Sequence, residues 1–348
     1  MSNSETNESV PIATTTSTTL ITGGAGFIGS HLAEHLKAQG RRLVLVDNLS
    51  TGNRANVEAL LDERCMLVEA NVSDALRDPA LLQGVTEIYH LAAAVGVMLV
   101  VDDPTAMVRN NIDETAVVLD AAVRCEARVL IASSSEVYGK CPVLPVREDM
   151  DLVYGPTTAS RWSYGLSKAL DEHLALDAHR RRGAGVVIAR LFNTIGPRQV
   201  GRYGMVVPRF VQRAVRGEPI EVFGNGEQTR AFCDVRDVVR AMTALLSEPA
   251  CLGQIYNLGS ERQVTINELA ARVNALAGGG SAIEHVPYER VYGKDFEDTP
   301  DRLPDTSKIR TAIGWQPAYA LEQTLAELVE SARRNHPDLR SQTRSSPA

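Results

Sequence analysis

From position 19 to about 191, short apolar runs of strand length alternate with longer stretches whose apolar residues recur every three or four positions. The strand candidates are residues 19–22, 43–46, 88–91, 129–132 and 186–191. Amphipathic helices are predicted in the gaps, among them 27–39, closed by Gly40, and 113–124. Strands separated by helices join side by side through crossovers, so this order predicts an α/β fold with a doubly wound parallel sheet. Beyond Leu191 the chain becomes richer in Gly, Pro and Arg, and 206–216, 266–276 and 321–333 read as helices of a smaller second α/β lobe. Residues 254–258 have strand character again, so part of 229–260 is expected to return to the first sheet. The expected division is a disordered tail over 1–18, a first domain over 19–191, a mainly separate lobe over 192–334 and a loose end over 335–348.

Composition narrows the class. The 348 residues exceed one ordinary core, and no apolar run is long enough to span a membrane. A formal charge of -7 gives no attraction to nucleic acid or anionic lipid, so neither is an expected partner and a metabolite is. Cys65, Cys125, Cys141, Cys233 and Cys251 are odd in number and never spaced C-x-x-C, which speaks against a disulfide framework or zinc ribbon and for a reducing cytoplasm. The first 18 residues lack the basic start and apolar stretch of a signal peptide.

Thr22-Gly-Gly-Ala-Gly-Phe-Ile-Gly29 lies between the first strand and the first helix. Gly23 provides a tight turn, Gly26 lets backbone approach a pyrophosphate, and Gly29 permits close helix-strand packing above a helix N-terminus that favours phosphate. A glycine triplet alone is more often a turn; its strand and helix flanks reverse that. Asp47, at the end of the second strand, suits ribose hydroxyls and would repel a 2′-phosphate, which favours NAD over NADP, although nearby Arg54 leaves NADP open. A strand-terminating turn is the plainer role for Asp47.

Two further clusters carry possible chemistry. His31-Leu-Ala-Glu34-His35 matches a zinc-peptidase arrangement, but it sits on the helix opened by the glycine loop and no motif places a third ligand. A solvated polar face is the better reading, and no metal is expected. Tyr164-Gly-Leu-Ser-Lys168 puts a phenol and an ammonium on one helix face, where the cation would lower the phenol's pKa and fit it to take a proton from a hydroxyl. A Ser-rich strand end upstream offers Ser134 as a hydroxyl partner; the alternative for these serines is a helix cap or loop.

Together with Asp47-Asn-Leu-Ser-Thr-Gly52, Tyr89-His-Leu-Ala-Ala93, Ser133-Ser-Ser-Glu-Val-Tyr-Gly139, Arg190-Leu-Phe-Asn-Thr-Ile-Gly-Pro-Arg198 and Gly226-Glu-Gln-Thr-Arg-Ala-Phe232, these motifs make the chain resemble the extended short-chain dehydrogenase/reductases that act as nucleotide-sugar epimerases, dehydratases and decarboxylases. The likeness runs from about Thr19 to Glu330. It implies a Rossmann-type NAD-binding domain over 19–191, a substrate-binding lobe, a nucleoside-diphosphate sugar as substrate and a homodimer. It implies cofactor contacts from Gly23, Gly26, Phe27, Ile28, Gly29, Asp47, Asn48, Leu91, Ala92 and Asn111, as well as from Tyr164 and Lys168. It assigns the 4-hydroxyl proton to Tyr164, the C4 hydride to NAD and a bond to the 4-keto oxygen to Ser134. Arg230 and Arg302 would bind the substrate pyrophosphate, with Asn193 nearby. Arg198 is either a loop anchor or a ligand for a substrate carboxylate.

Three departures accompany the likeness: Asn71 stands where many relatives carry an adenine-holding Asp, Glu114 replaces a frequent glycine after Asn111, and the N-terminal tail is long. The branches of the group differ at C5 and C6, where the resemblance places Glu136 as a catalytic group and Ser135 as a substrate contact. The order Ser134-Ser135-Glu136 is most similar to UDP-glucuronate decarboxylases, whereas 47–52 and 90–96 are more like UDP-sugar 4-epimerases. The expectation is decarboxylation of UDP-glucuronate, with 4-epimerisation of UDP-glucose or UDP-glucuronate as the alternative. A 4,6-dehydratase or a non-catalytic NAD-binding regulator comes further behind. Glu136 as a mere supporting or surface carboxylate is the plain alternative.

Overall fold

The computed structural model describes residues 17–93, 103–201, 205–292 and 301–335. Of the predicted tail only Ser17 and Thr18 fall within them. Thr18 already opens β1 (Thr18–Thr22), which leads through α1 (Phe27–Ala38) to β2 (Arg42–Asp47) and β3 (Cys65–Glu69). Next come α2 (Val72–Ala75), β4 (Val85–His90), α3 (Pro104–Arg124), β5 (Arg128–Ser134), α4 (Ser163–Arg182) and β6 (Gly185–Leu191).

These strands stand parallel in the order β3-β2-β1-β4-β5-β6. The order reverses direction between β1 and β4, and a crevice outside the strand ends is expected at such a switch. The central strands read as apolar runs because both faces are covered: Leu20, Ile21, Leu45, Ile88, Leu130 and Ile131 are fully buried. The strand β3 escapes sequence reading because it is an edge strand with mixed exposure, Met66 lying 46% exposed. Helix α3 starts at Pro104 rather than at 113. Asp103 caps it by accepting from the Ala106 amide at 2.9 Å, and proline suits the first helical position.

The second part of the chain runs through β7 (Thr194–Ile195), α5 (Val206–Arg216), β8 (Ile220–Phe223), β9 (Thr229–Ala231), β10 (Cys233–Asp234) and α6 (Val235–Ser247). There β11 (Gln254–Leu258) returns to the main sheet and pairs parallel with β6 as the seventh strand. After it follow β12 (Gln263–Thr265), α7 (Ile266–Ala277), β13 (Ile283–Val286), α8 (Tyr288–Tyr292), β14 (Asp301–Arg302), α9 (Ser307–Ile313) and α10 (Leu321–Asn335).

Packing follows this threading. Val238, Met242 and Leu245 of α6 join Leu32 and Leu36 of α1 on one face of the sheet, while Val118 and Ala122 of α3 join Ala175 and Ala178 of α4 on the other. A separate core unites Phe210, Val222, Leu269, Val273 and Leu325, and this holds the smaller lobe together. Among the described residues, no helix is long and apolar enough to cross a membrane.

Candidate active site

The carboxyl ends of the strands open on one cleft of about 1130 Å³, which the second lobe lines from the opposite side. At one end lies the glycine loop. Gly23 has φ +67°, and a Cβ there would come 2.8 Å from the Ala92 amide nitrogen; one at Gly29 would lie 2.1 Å from the Gly23 carbonyl oxygen. No larger residue fits either position. Gly26 precedes α1 and offers no side-chain cap to its first amides, an arrangement that can accept an anion such as phosphate.

Asp47 closes β2. Its Oδ2 accepts from the Ala25 amide at 2.9 Å and its Oδ1 from Leu49 at 2.8 Å. Burial raises its pKa, while the amides of Leu49, Ala25 and Gly26 oppose the rise. A carboxylate accepts about four hydrogen bonds, which leaves room for ribose hydroxyls. Arg54, on which NADP would depend, pairs with Glu58 at 2.8 Å and with Glu69. Phe27, Ile28, Asn48, Leu91 and Ala92 line the cleft beside the loop.

Asn111 is expected to contact the cofactor. It is buried and donates to Ser167 Oγ at 3.2 Å, bracing α3 against α4, while its neighbour Asn110 lines the cleft. Residues 94–96, the end of the epimerase-like segment that begins at His90, lie outside the described residues. His90 itself is buried between Thr22 Oγ1, 2.8 Å away, and Thr115 Oγ1, 3.2 Å away. Burial, aided by the Lys168 charge, lowers its pKa to about 3, so it bridges these strands and helices as a neutral ring.

At the other end, Tyr164 and Lys168 occupy the first turns of α4. Tyr164 shares a hydrogen bond with Ser134 at the end of β5, and the Glu136 amide donates to Ser134 Oγ at 3.2 Å. Lys168 Nζ donates to Asp171 Oδ2 at 2.9 Å. This changes the expected electrostatics. Burial, then the Glu136 and Asp171 carboxylates, push the Tyr164 pKa up, while the bond to Ser134 opposes the rise. Of the remaining serines, Ser133 donates to Glu172 Oε1 at 2.5 Å, where Arg190 also binds, and Ser135 lines the cleft.

Glu136 is the charged centre of this end. Arg161 donates to it twice, at 2.6 and 3.1 Å, and Arg302 donates to Oε1. Burial works against its charge, yet Arg302 and Arg161 outweigh that and hold its pKa at about 2. Arg302, expected at a pyrophosphate, lines the cleft and bonds this carboxylate within it. The pairing of β14 with β9 sets Arg302 directly beside Arg230. Arg230 and Asn193 also line the cleft; Arg230 donates to the Thr229 carbonyl at 2.8 Å and Asn193 to that of Ala231 at 3.2 Å.

Arg198 lines the cleft and is tied to the first domain. It donates twice to Glu34, at 3.1 and 2.6 Å, and once to the Asn56 carbonyl at 3.0 Å, with a left-handed φ of +68°. The same bonds remove Glu34 from the apparent zinc motif, whose His31 contacts the Phe27 carbonyl at 3.0 Å. Sequence reading missed Arg161, Asp171 and Arg209, the last lying 3.7 Å over the Phe223 ring at the cleft wall. Only the nearness of Arg161 and Asp171 to the Tyr164–Lys168 pair could have singled them out.

Residues 19–259, which include the glycine loop, the Tyr164–Lys168 pair and Glu136, match the model of the NAD dependent epimerase/dehydratase family. The chain belongs to this family. One family relative, the UDP-N-acetyl-alpha-D-glucosaminuronate decarboxylase of Bacillus cytotoxicus, is 39% identical over 312 residues, covering 89% of this chain and 96% of the relative. UDP-glucuronic acid decarboxylase 1 of Arabidopsis thaliana is 36% identical, with 90% and 69% covered. Among solved structures, UDP-glucuronic acid 4-epimerase from Bacillus cereus, in complex with UDP-glucuronic acid and NAD, is 28% identical. It superposes with a TM-score of 0.81 over 91% of this chain and 99% of the other.

Proposed function

We propose that this chain is an NAD-dependent decarboxylase of a UDP-linked hexuronic acid, with UDP-glucuronate as substrate. The observation that carries this reading is the convergence of Tyr164 and Ser134 with a carboxylate, Glu136, clamped between Arg161 and Arg302. Two guanidinium groups and one carboxylate sum to a positive site, which suits an anionic sugar. This charge favours a uronate over a neutral sugar; decarboxylation of that uronate over its 4-epimerisation is favoured by the relatives 39% and 36% identical.

The glycine loop and Asp47 would hold NAD, which when bound supplies the hydride acceptor for C4 and returns the hydride. As the phenolate, Tyr164 takes the proton from the 4-hydroxyl, and Lys168, one turn along the same helix face, favours that ionised form. The resulting β-keto acid loses CO₂ as its C5–C6 bond breaks, and the electron pair moves into the enolate at C4. Hydrogen bonds from Tyr164 and Ser134 stabilise that oxygen. Glu136 is ionised at neutral pH, so it orients rather than donates the proton, and C5 is protonated from solvent. Its charge also keeps the arginines from gripping the substrate carboxylate so tightly that CO₂ loss is penalised.

A second reading of the sugar, UDP-N-acetylglucosaminuronate, is favoured by the relative that is 39% identical. Leu166, Leu170 and Leu174 lie exposed at four-residue spacing along α4, an apolar stripe that supports homodimerisation through this helix. The deciding experiment incubates the chain and NAD with each UDP-uronate and weighs the products. Loss of the mass of CO₂ is expected; unchanged mass with inverted C4 stereochemistry would replace the reading with 4-epimerisation.

A further inference from the structure

Of the departures Asn71 and Glu114, only Glu114 lines the cleft; Asn71 is exposed beside it. Asn71 precedes α2, where its side-chain oxygen accepts from Asn48 Nδ2 at 2.9 Å and its amide donates to Asp74 at 3.2 Å. Glu114 arrives from α3. It is only 8% exposed and lines the cleft with Asn48, Ala70 and Val72. The amide and hydroxyl of Ser73 bond its carboxylate, yet Oε2 is buried with no hydrogen-bond partner among the described residues. A buried acceptor left without a donor is destabilising, and at a cleft wall a bound molecule can supply that donor.

Position indicates which partner. Asp47 ends β2 and suits the ribose, so the base attached to that ribose lies beyond it, toward the end of β3. Ala70 and Val72 offer apolar surface to a purine face. Burial raises the Glu114 pKa and the Ser73 bonds oppose the rise; in its ionised form the carboxylate accepts hydrogen bonds and cannot donate them.

Resting on the reading of the cleft as an NAD site, we propose that Glu114 accepts the exocyclic amino group of the adenine and makes the site selective for adenine over a 6-oxo purine. Asn71, already bonded to Asn48, is thereby relieved of this role. A glycine at position 114 could not perform it.

The test is direct binding, independent of turnover. Calorimetry on the nucleotide-stripped full chain compares NAD with its hypoxanthine analogue, in which a carbonyl replaces the amino group. The expected preference for NAD is about tenfold or more. Glu114→Ala should weaken NAD by about tenfold and leave the analogue within about twofold. Glu114→Gln, whose amide can donate as well as accept, keeps the side chain's volume and should bind the analogue more tightly than the unmodified chain does. A Glu114 that merely braces Ser73 would weaken both nucleotides equally. An unchanged NAD-to-analogue ratio in both variants, or a ratio lost in Asn71→Ala instead, overturns the assignment while leaving NAD binding intact. Failure of the unmodified chain to bind NAD overturns this assignment together with the proposed function.

Discussion

Lys168 Nζ lies 2.9 Å from Asp171 Oδ2, both side chains buried, on the helix that carries Tyr164. Asp171 therefore restrains the ammonium and, by its own charge, raises the Tyr164 pKa. Asp171→Asn removes a negative charge that repels the phenolate, so the Tyr164 pKa falls. The limb of the kcat/KM profile that reports Tyr164 deprotonation should move to lower pH. Loss of the buried partner should also destabilise the fold by about 3 kcal/mol in urea titrations. A limb that moves upward would contradict this account.

Arg161 and Arg302 are predicted to be separately indispensable. Arg161→Met or Arg302→Met keeps much of the apolar volume but leaves Glu136 half-clamped, and each should lower decarboxylation by about 100-fold or more, with NAD affinity unchanged. Product mass per unit time, set beside calorimetric NAD binding, measures both. Full turnover in either variant would remove the site from the proposed chemistry.

The same clamp gives a stability signature. Glu136 is depressed in the folded state to about 2 from an ordinary 4.5, so its contribution is fully present above pH 4.5 and fades as pH falls toward 2. The shift corresponds to about 3 kcal/mol. Urea midpoints should therefore fall across this acid window more steeply in the unmodified chain than in Glu136→Gln. Parallel slopes would show that the clamp does not stabilise the fold.

Gly29 and Gly26 should fail differently. A Cβ at Gly29 meets the Gly23 carbonyl at 2.1 Å, so Gly29→Ala is expected to disturb the packing of α1 and lower the Tm. At Gly26 the closest contact is 3.1 Å. Gly26→Ala should fold and lose mainly cofactor affinity, by about tenfold or more. Equal thermal losses in the two variants would refute the distinction.

Arg198 is expected to act through stability. Arg198→Gln severs the bonds to Glu34 and Asn56, which should cost about 1–2 kcal/mol while the KM for a UDP-uronate stays within about twofold. A tenfold rise in KM at unchanged Tm would restore it as a substrate ligand.

Features confined to one element were the most legible in the sequence. The parallel sheet follows from buried apolar runs, and the glycine turn and Tyr164–Lys168 spacing are local. What the sequence concealed depends on which elements meet. Nothing near Arg302 reveals that β14 pairs with β9 and delivers it to Glu136. The edge strand β3 lacks a clean apolar pattern because part of it faces solvent, and the first half of α3 is marked by its Asp103 cap rather than by an apolar stripe.

The return of β11 has a consequence for biosynthesis. Until Leu258 has left the ribosome, β6 presents an unpaired edge, because its neighbour in the finished sheet lies beyond β7 to β10 and two helices of the second part of the chain. Exposed strand edges invite pairing with other chains, so the nascent protein passes through a stage at which chaperone cover matters. Ending translation near Leu191 would leave that edge permanently uncovered, and the product would be prone to aggregate even with every residue of the glycine loop and the Tyr164–Lys168 pair present.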